Sequence, residues 1–211
     1  MGQTPISFKN KKTDLEGILS IPNGALGLLP AAILCHPHPL FGGNMDNNVI
    51  IAIATALNSK GIATLRFNFK GVAPSESISS NGVSEQEDLA SALKVLRNLP
   101  GIDRKRLGLV GYSFGAQIIL LGLKKYSSIK TLALISPPLS ALGPNLNKDD
   151  KYKLFVVGSK DGLIEPNALK ERLKTLSGAI TFREMPGANH SWQGHEGNMA
   201  SQVAEFLETS L

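Results

Sequence analysis

The pentapeptide Gly111-Tyr112-Ser113-Phe114-Gly115 limits what this chain can fold into more than any other stretch. Its spacing is G-x-S-x-G. The apolar run Arg106-Leu107-Gly108-Leu109-Val110 before it reads as a buried strand, and Ala116 to Leu123 after it is long and apolar enough for a buried helix. A serine on a sharp strand-to-helix turn is a nucleophile elbow, with the hydroxyl standing clear of the sheet. Gly111 and Gly115 are small because neighbouring backbone crowds such a turn.

The rest of the chain alternates in the same way. Ile6 to Lys9 and Leu15 to Ile21 read as an opening hairpin, and Ala31 to Cys35 as a short strand running into a Pro-rich loop. Asn48 to Ser59 reads as a helix, with Asp46 or Asn47 as cap and Gly61 as stop. Ile62 to Phe67 is a strand. Glu85 to Asn98 is a helix, with Glu85, Glu87 and Asp88 complementing the dipole of its first turn. Thr131 to Ile135, Leu154 to Val157 and Ile180 to Glu184 are further strands; Ala168 to Leu176 and Asn198 to Leu211 are helices. This alternation predicts an α/β fold over residues 1–211, a mostly parallel sheet with helices on both sides and no large inserted cap domain. The longest irregular stretches are Gly71 to Ser84 and Pro137 to Tyr152.

Composition removes several classes of function. The 211 residues carry a net charge of +5, but the basic residues form no long run, so nucleic acid is not an expected partner. The single cysteine, Cys35, excludes an intrachain disulfide and fits a reducing compartment. Met1 to Asn10 has no apolar run of the secretory kind, and no segment has the length of a membrane span. A soluble, cytoplasmic protein is expected, and a homodimer is left open.

A serine hydroxyl needs a base to take its proton, and that base, usually histidine, needs a carboxylate to orient it. In folds with this elbow the chain order is Ser, acid, His. Asp161 follows the strand Leu154 to Val157, at the edge where active-site residues of open α/β sheets gather. Glu165 is the nearest rival; Asp149 and Asp150 precede the strand. Of the four histidines only His190 and His195 follow Asp161, and His190 is nearer the end of the last strand, with His195 starting the final helix. An oxyanion would be held by the backbone N–H of Phe114 and by a second donor from the loop after Cys35. Pro37 and Pro39 have no N–H, so His38 and Leu40 remain, with His38 favoured. His36 is expected to pin the loop by hydrogen bonds. The pair His36-x-His38 has no third ligand cluster, so no metal site is expected, and the chemistry calls for no cofactor. Cys35, at a buried strand end, is expected to pack as a small hydrophobe.

His36-Pro37-His38-Pro39-Leu40-Phe41-Gly42-Gly43-Asn44-Met45-Asp46-Asn47, Leu65-Arg66-Phe67-Asn68-Phe69-Lys70-Gly71-Val72, the Gly111–Gly115 elbow and the Asp161 and His190 loops together carry a resemblance that covers nearly the whole chain. It resembles the compact α/β-hydrolases, and among them the small hydrolases related to dienelactone hydrolases. The resemblance implies a Ser–His–Asp hydrolase without a large lid, with Ser113, Asp161 and His190 as its triad. A serine esterase acting on small or medium esters is expected, since the linkers leave little room for a cap that would shape a long tunnel. Thioester or amide cleavage, acyl transfer, or a binding module on the same fold are the alternatives. Two departures stand out: dienelactone hydrolases proper use a cysteine nucleophile where this chain has Ser113, and Gly71-Val72-Ala73-Pro74-Ser75 replaces a family-like Gly-x-Gly-x-Ser. Arg66 and Asn68 are expected to tie loops together.

Overall fold

In the computed structural model, which describes residues 2–11, 13–24, 26–72 and 82–211, the chain forms one eight-stranded sheet. The strands are β1 (Gly2–Asn10), β2 (Thr13–Ile21), β3 (Leu29–Cys35), β4 (Ala63–Phe67), β5 (Ile102–Tyr112), β6 (Thr131–Ile135), β7 (Tyr152–Gly158) and β8 (Ile180–Met185). Their order across the sheet is β1-β2-β4-β3-β5-β6-β7-β8. β1 and β2 pair antiparallel, as do β2 and β4; every other neighbouring pair is parallel. The helices are α1 (Asn48–Ser59), α2 (Val83–Asn98), α3 (Phe114–Leu121), α4 (Pro166–Lys174) and α5 (Glu196–Ser210). This is the α/β-hydrolase fold, with no large cap.

Strand periodicity divides the core between the two faces of the sheet. Ile33, Leu65, Leu109, Leu134 and Phe155 join the cluster that includes the buried residues of α2, α3 and α4. Their strand neighbours Leu34, Val110, Ile135 and Val156 point the other way, into the cluster with α1 and α5. Burial on both faces explains why β6 is apolar after Thr131 rather than alternating, whereas β4 turns Ala63, Leu65 and Phe67 to one face and buries Thr64 and Arg66. The opening hairpin is longer than the sequence suggests, because backbone pairing runs in register from Gly2↔Ile21 to Asn10↔Thr13 through polar residues.

Local signals set several boundaries. The Asn47 side chain caps α1 by accepting the Val49 N–H at 3.0 Å, and Gly61 follows the helix with φ 75°. The acidic start of α2 differs from expectation. Glu85 and Asp88 are buried, and Asp88 accepts from Asn10 Nδ2 at 2.6 Å and from the Lys70 N–H at 3.0 Å. It fastens α2 to β1 rather than facing solvent. The 137–152 stretch holds two short 3-10 turns and buries Leu142 and Leu146 on the α4 side, so only its first residues approach the end of β5. The other long stretch falls mainly on residues 73–81, including Ala73-Pro74-Ser75, outside the described residues. Among the described residues no helix is long and apolar enough to cross a membrane.

Candidate active site

Loops from the C-terminal ends of β3, β5, β6, β7 and β8 meet around one cleft of about 710 Å³. Ser113 lies on its floor, between the end of β5 and the start of α3. Its backbone has φ 52° and ψ −111°, which is sterically costly for a residue with a Cβ. The elbow holds because its N–H donates to Ile135 O at 2.8 Å and its neighbours have no side chain to collide. A Cβ at Gly111 would lie 2.5 Å from Ala116 N, and one at Gly115 would lie 2.1 Å from Cys35 O. Only glycine lets α3 start this close to β3 and β5.

The structure brings Ser113, His190 and Asp161 into line. His190 Nε2 lies 3.1 Å from Ser113 Oγ, and His190 Nδ1 lies 2.9 Å from both carboxylate oxygens of Asp161. The loops carrying Asp161 and His190 are sewn together by Lys160 N–H to Ala188 O at 2.8 Å, Ser159 N–H to Met185 O at 2.9 Å and Gly187 N–H to Ser159 Oγ at 2.8 Å. The Tyr112 hydroxyl donates to His190 O at 2.6 Å, tying the His190 loop to β5. Asp161 is buried and also accepts from the N–H groups of Leu163 and Ile164, at 3.0 and 2.9 Å. Burial pushes its carboxyl up, but hydrogen bonds from His190, these two N–H groups and the Ser136 side chain outweigh it, and the net shift is below the usual carboxylate range. Asp161 therefore stays an acceptor and orients the imidazole with Nδ1–H towards itself, leaving Nε2 to accept from Ser113.

The rivals have other tasks. Glu165 caps α4, accepting from Asn167 N–H at 2.9 Å and from Ala168 N–H. Asp149 is buried against Lys151 (2.6 Å) and Lys153 (3.1 Å). His195 is the N-terminal cap residue of α5. Cys35 is buried, which pushes its thiol up and keeps it protonated.

His36 is buried. Its Nδ1–H donates to Pro37 O at 2.6 Å and its Nε2 accepts the Phe69 N–H at 3.0 Å, a pattern that requires the neutral ring. Burial lowers it to about 4, so it stays neutral. The same loop is tied to the end of β4: Asn68 Oδ1 accepts from Met45 N–H at 2.7 Å, and Arg66 donates to Met45 O at 3.2 Å and pairs with Asp46. These contacts hold His38 beside Phe114, with ring centroids 4.4 Å apart. The Leu40 N–H already donates to His38 Nδ1 at 3.1 Å. Among the described residues neither the His38 N–H nor the Phe114 N–H has an acceptor. The Phe114 N–H also opens α3, where the helix dipole favours negative charge.

The cleft walls are Pro37, Tyr112, Pro138 and Gln117, and its rim exposes Phe41 and Leu163. No Lys, Arg, Asp or Glu is among the described residues that line it. Nor do three His, Cys, Asp or Glu side chains gather as a metal would need, again among the described residues. Two contributors escaped the sequence analysis: Tyr112, whose hydroxyl reaches across 78 residues, and Ser136 at the end of β6. No local pattern marks either one.

Comparison with known proteins points the same way as the fold. A model of the dienelactone hydrolase family matches residues 72–208. An uncharacterized protein of Rickettsia prowazekii is 29% identical over 194 residues, covering 85% of this chain and 79% of its own. An alpha-beta serine hydrolase homologue from Coxiella burnetii is 29% identical, with a TM-score of 0.85 over 96% of both chains. An a/b serine hydrolase without lid from Xanthomonas campestris is 26% identical, with a TM-score of 0.86 over 98% of this chain and 94% of that one.

Proposed function

Since the chain belongs to the dienelactone hydrolase family and is a hydrolase, we propose that it is a serine esterase that cleaves small or medium uncharged carboxylic esters. The observation that carries this reading is the aligned set Ser113 Oγ, His190 and Asp161, spaced 3.1 and 2.9 Å apart. His190 Nε2 takes the proton as Ser113 Oγ attacks the ester carbonyl. Asp161 orients the ring and stabilises the imidazolium that forms. The negative charge on the former carbonyl oxygen is met by the N–H groups of Phe114 and His38, with α3 directed at it. Collapse expels the alcohol, which leaves with the proton from His190 and gives an acyl ester on Ser113. Water, deprotonated by the same imidazole, then releases the carboxylic acid and restores Ser113.

The cleft supports the substrate class. Its volume suits a small or medium ester, and its apolar rim solvates a hydrocarbon or aromatic group. With no charged wall among the described residues, an ester carrying its own carboxylate would lose hydration without gaining a partner. Short p-nitrophenyl esters should be turned over, a fluorophosphonate should label Ser113, and Ser113→Ala should abolish both. A folded protein that neither reacts with the probe nor cleaves any such ester is a binding module, and the proposal fails.

A further inference from the structure

Gln117 is the only residue of α3 with a polar side chain. Its N–H donates to Ser113 O at 3.0 Å, so it stands one turn, about 5.4 Å, further along the helix axis. Side chains on a helix lean towards its N-terminus, which sets the Gln117 amide back towards the turn that Ser113 begins. Both side chains line the same cleft, and Gln117 is half-buried there. Exposure alone does not call for polarity on this face: Leu121, one turn further on, is 43% exposed and apolar.

The other polar side chains that line the cleft are committed. Tyr112 donates to His190 O, and Ser113 Oγ faces His190 Nε2. His38 Nδ1 accepts the Leu40 N–H, and Asn47 Oδ1 the Val49 N–H. Asn48 Nδ2 donates to Glu196 at 2.7 Å, and the Ser191 hydroxyl to Asn189 Oδ1 at 2.9 Å. Among the described residues that line the cleft, Gln117 is the one whose polar side chain makes no hydrogen bond. Its amide offers two N–H donors and a carbonyl acceptor. In the open cleft solvent meets them. An ester seated on Ser113 displaces that solvent, and a hydrocarbon chain against the amide leaves its polar atoms stranded. A hydroxyl or ether oxygen on the ester restores a partner.

We infer that Gln117 is a specificity-determining residue, and that the preferred ester carries an uncharged hydroxyl or ether group a few bonds from the scissile carbonyl. The inference rests on the serine-esterase reading proposed above and narrows its substrate class. The group is uncharged because no Lys, Arg, Asp or Glu is among the described lining residues, so an ion would exchange its hydration for a single amide. The effect is on discrimination. A site built to hydrogen-bond a substrate group turns away the analogue that lacks it, because the site's own polar atoms then lose their partners.

The test compares the wild type with Gln117→Met, which keeps the length and helix propensity of the side chain and removes its amide. Two matched pairs of esters are used. In the acyl part, p-nitrophenyl β-hydroxybutyrate is set against p-nitrophenyl isovalerate, a hydroxyl against a methyl. In the alcohol part, methoxyethyl acetate is set against butyl acetate, an ether oxygen against a methylene. For each protein the preference for the polar member is measured as a ratio of kcat/KM values. Dividing the wild-type ratio by the variant ratio cancels the intrinsic reactivity of the esters. The quotient should reach about fivefold or more in at least one pair, the scale of one hydrogen bond made or stranded. A smaller quotient in both pairs overturns the inference. That includes the case in which Gln117→Met slows all the esters alike, which would mark a residue that shapes the cleft without reading the substrate. If Gln117→Met does not fold, Gln117→Leu takes its place. Ser113→Ala separates the two levels: if it still cleaves these esters, the serine-esterase reading fails and the inference with it. If it is inactive while the quotients stay small, only the inference fails.

Discussion

Replacing His38 with proline isolates a single N–H group. The backbone at residue 38 has φ −63° and ψ 127°. Proline fixes φ at about −65 ± 15°, so the ring fits without moving the chain. The extended ψ is also what a residue before Pro39 requires. The His38 N–H has no acceptor among the described residues, so the fold loses no hydrogen bond with it. The imidazole is lost too; it accepts from the Leu40 N–H and packs on Phe114. His38→Ala removes those contacts and keeps the N–H, so the ratio of the two variants reports the N–H alone. One oxyanion donor is worth roughly 2.7–4 kcal/mol, or about 10²–10³ in kcat. His38→Ala should lose less than about tenfold, the scale of one modest packing and hydrogen-bond loss. His38→Pro should lose a further factor of about 10² or more, with KM little changed, because the donor acts on charge that exists only in the transition state. Steady-state kinetics on p-nitrophenyl acetate, beside thermal melts by circular dichroism, measure both. Two folded variants with kcat within threefold of each other would refute the assignment of the second donor to residue 38.

Gly115→Ala should cost about 1–3 kcal/mol or more, because its Cβ would sit 2.1 Å from Cys35 O and must push β3 away from α3. A melting temperature lower by about 5–10 °C is expected, with Gly197→Ala, whose Cβ meets nothing within 4 Å, as the silent control. Asn68→Ala leaves the Met45 N–H without its partner at about 1–3 kcal/mol and loosens the loop that carries His38, so both stability and kcat should fall. Stability should also fall as pH drops from 6.5 towards 4. In that window the unfolded chain protonates His36 while the folded one holds it neutral until about 4. The loss should approach about 3 kcal/mol, and the melting temperature of His36→Gln should depend less steeply on pH than that of the wild type; equal slopes would contradict this.

What could be read from the sequence was local. The elbow is legible because two glycines, a strand and a helix within about fifteen residues leave few alternatives for Ser113. Asp161 and His190 were legible because parallel strands deliver their loops to one edge, so a carboxylate and a histidine just past strand ends are near each other by topology. Contacts set by the order of strands across the sheet were not legible. Asp88 looks like a surface residue of an acidic helix start until β1 arrives with Asn10, 78 residues away. Ser136 and Trp192 carry no motif, and their bond exists because β6 and the β8 loop flank the same strand. His38 was already favoured over Leu40 as the second donor, but the contact in which the His38 side chain folds back to take the Leu40 N–H carries no sequence signal.

The chemistry stands or falls on whether an acyl group passes through Ser113. Rapid acid quench of the protein during turnover of p-nitrophenyl acetate, followed by peptide mass spectrometry, should find one acetyl group on the peptide containing Ser113 and none in Ser113→Ala. Turnover with that peptide unmodified at every time point, or acetyl carried by another residue whose removal stops the reaction, would contradict the proposed mechanism.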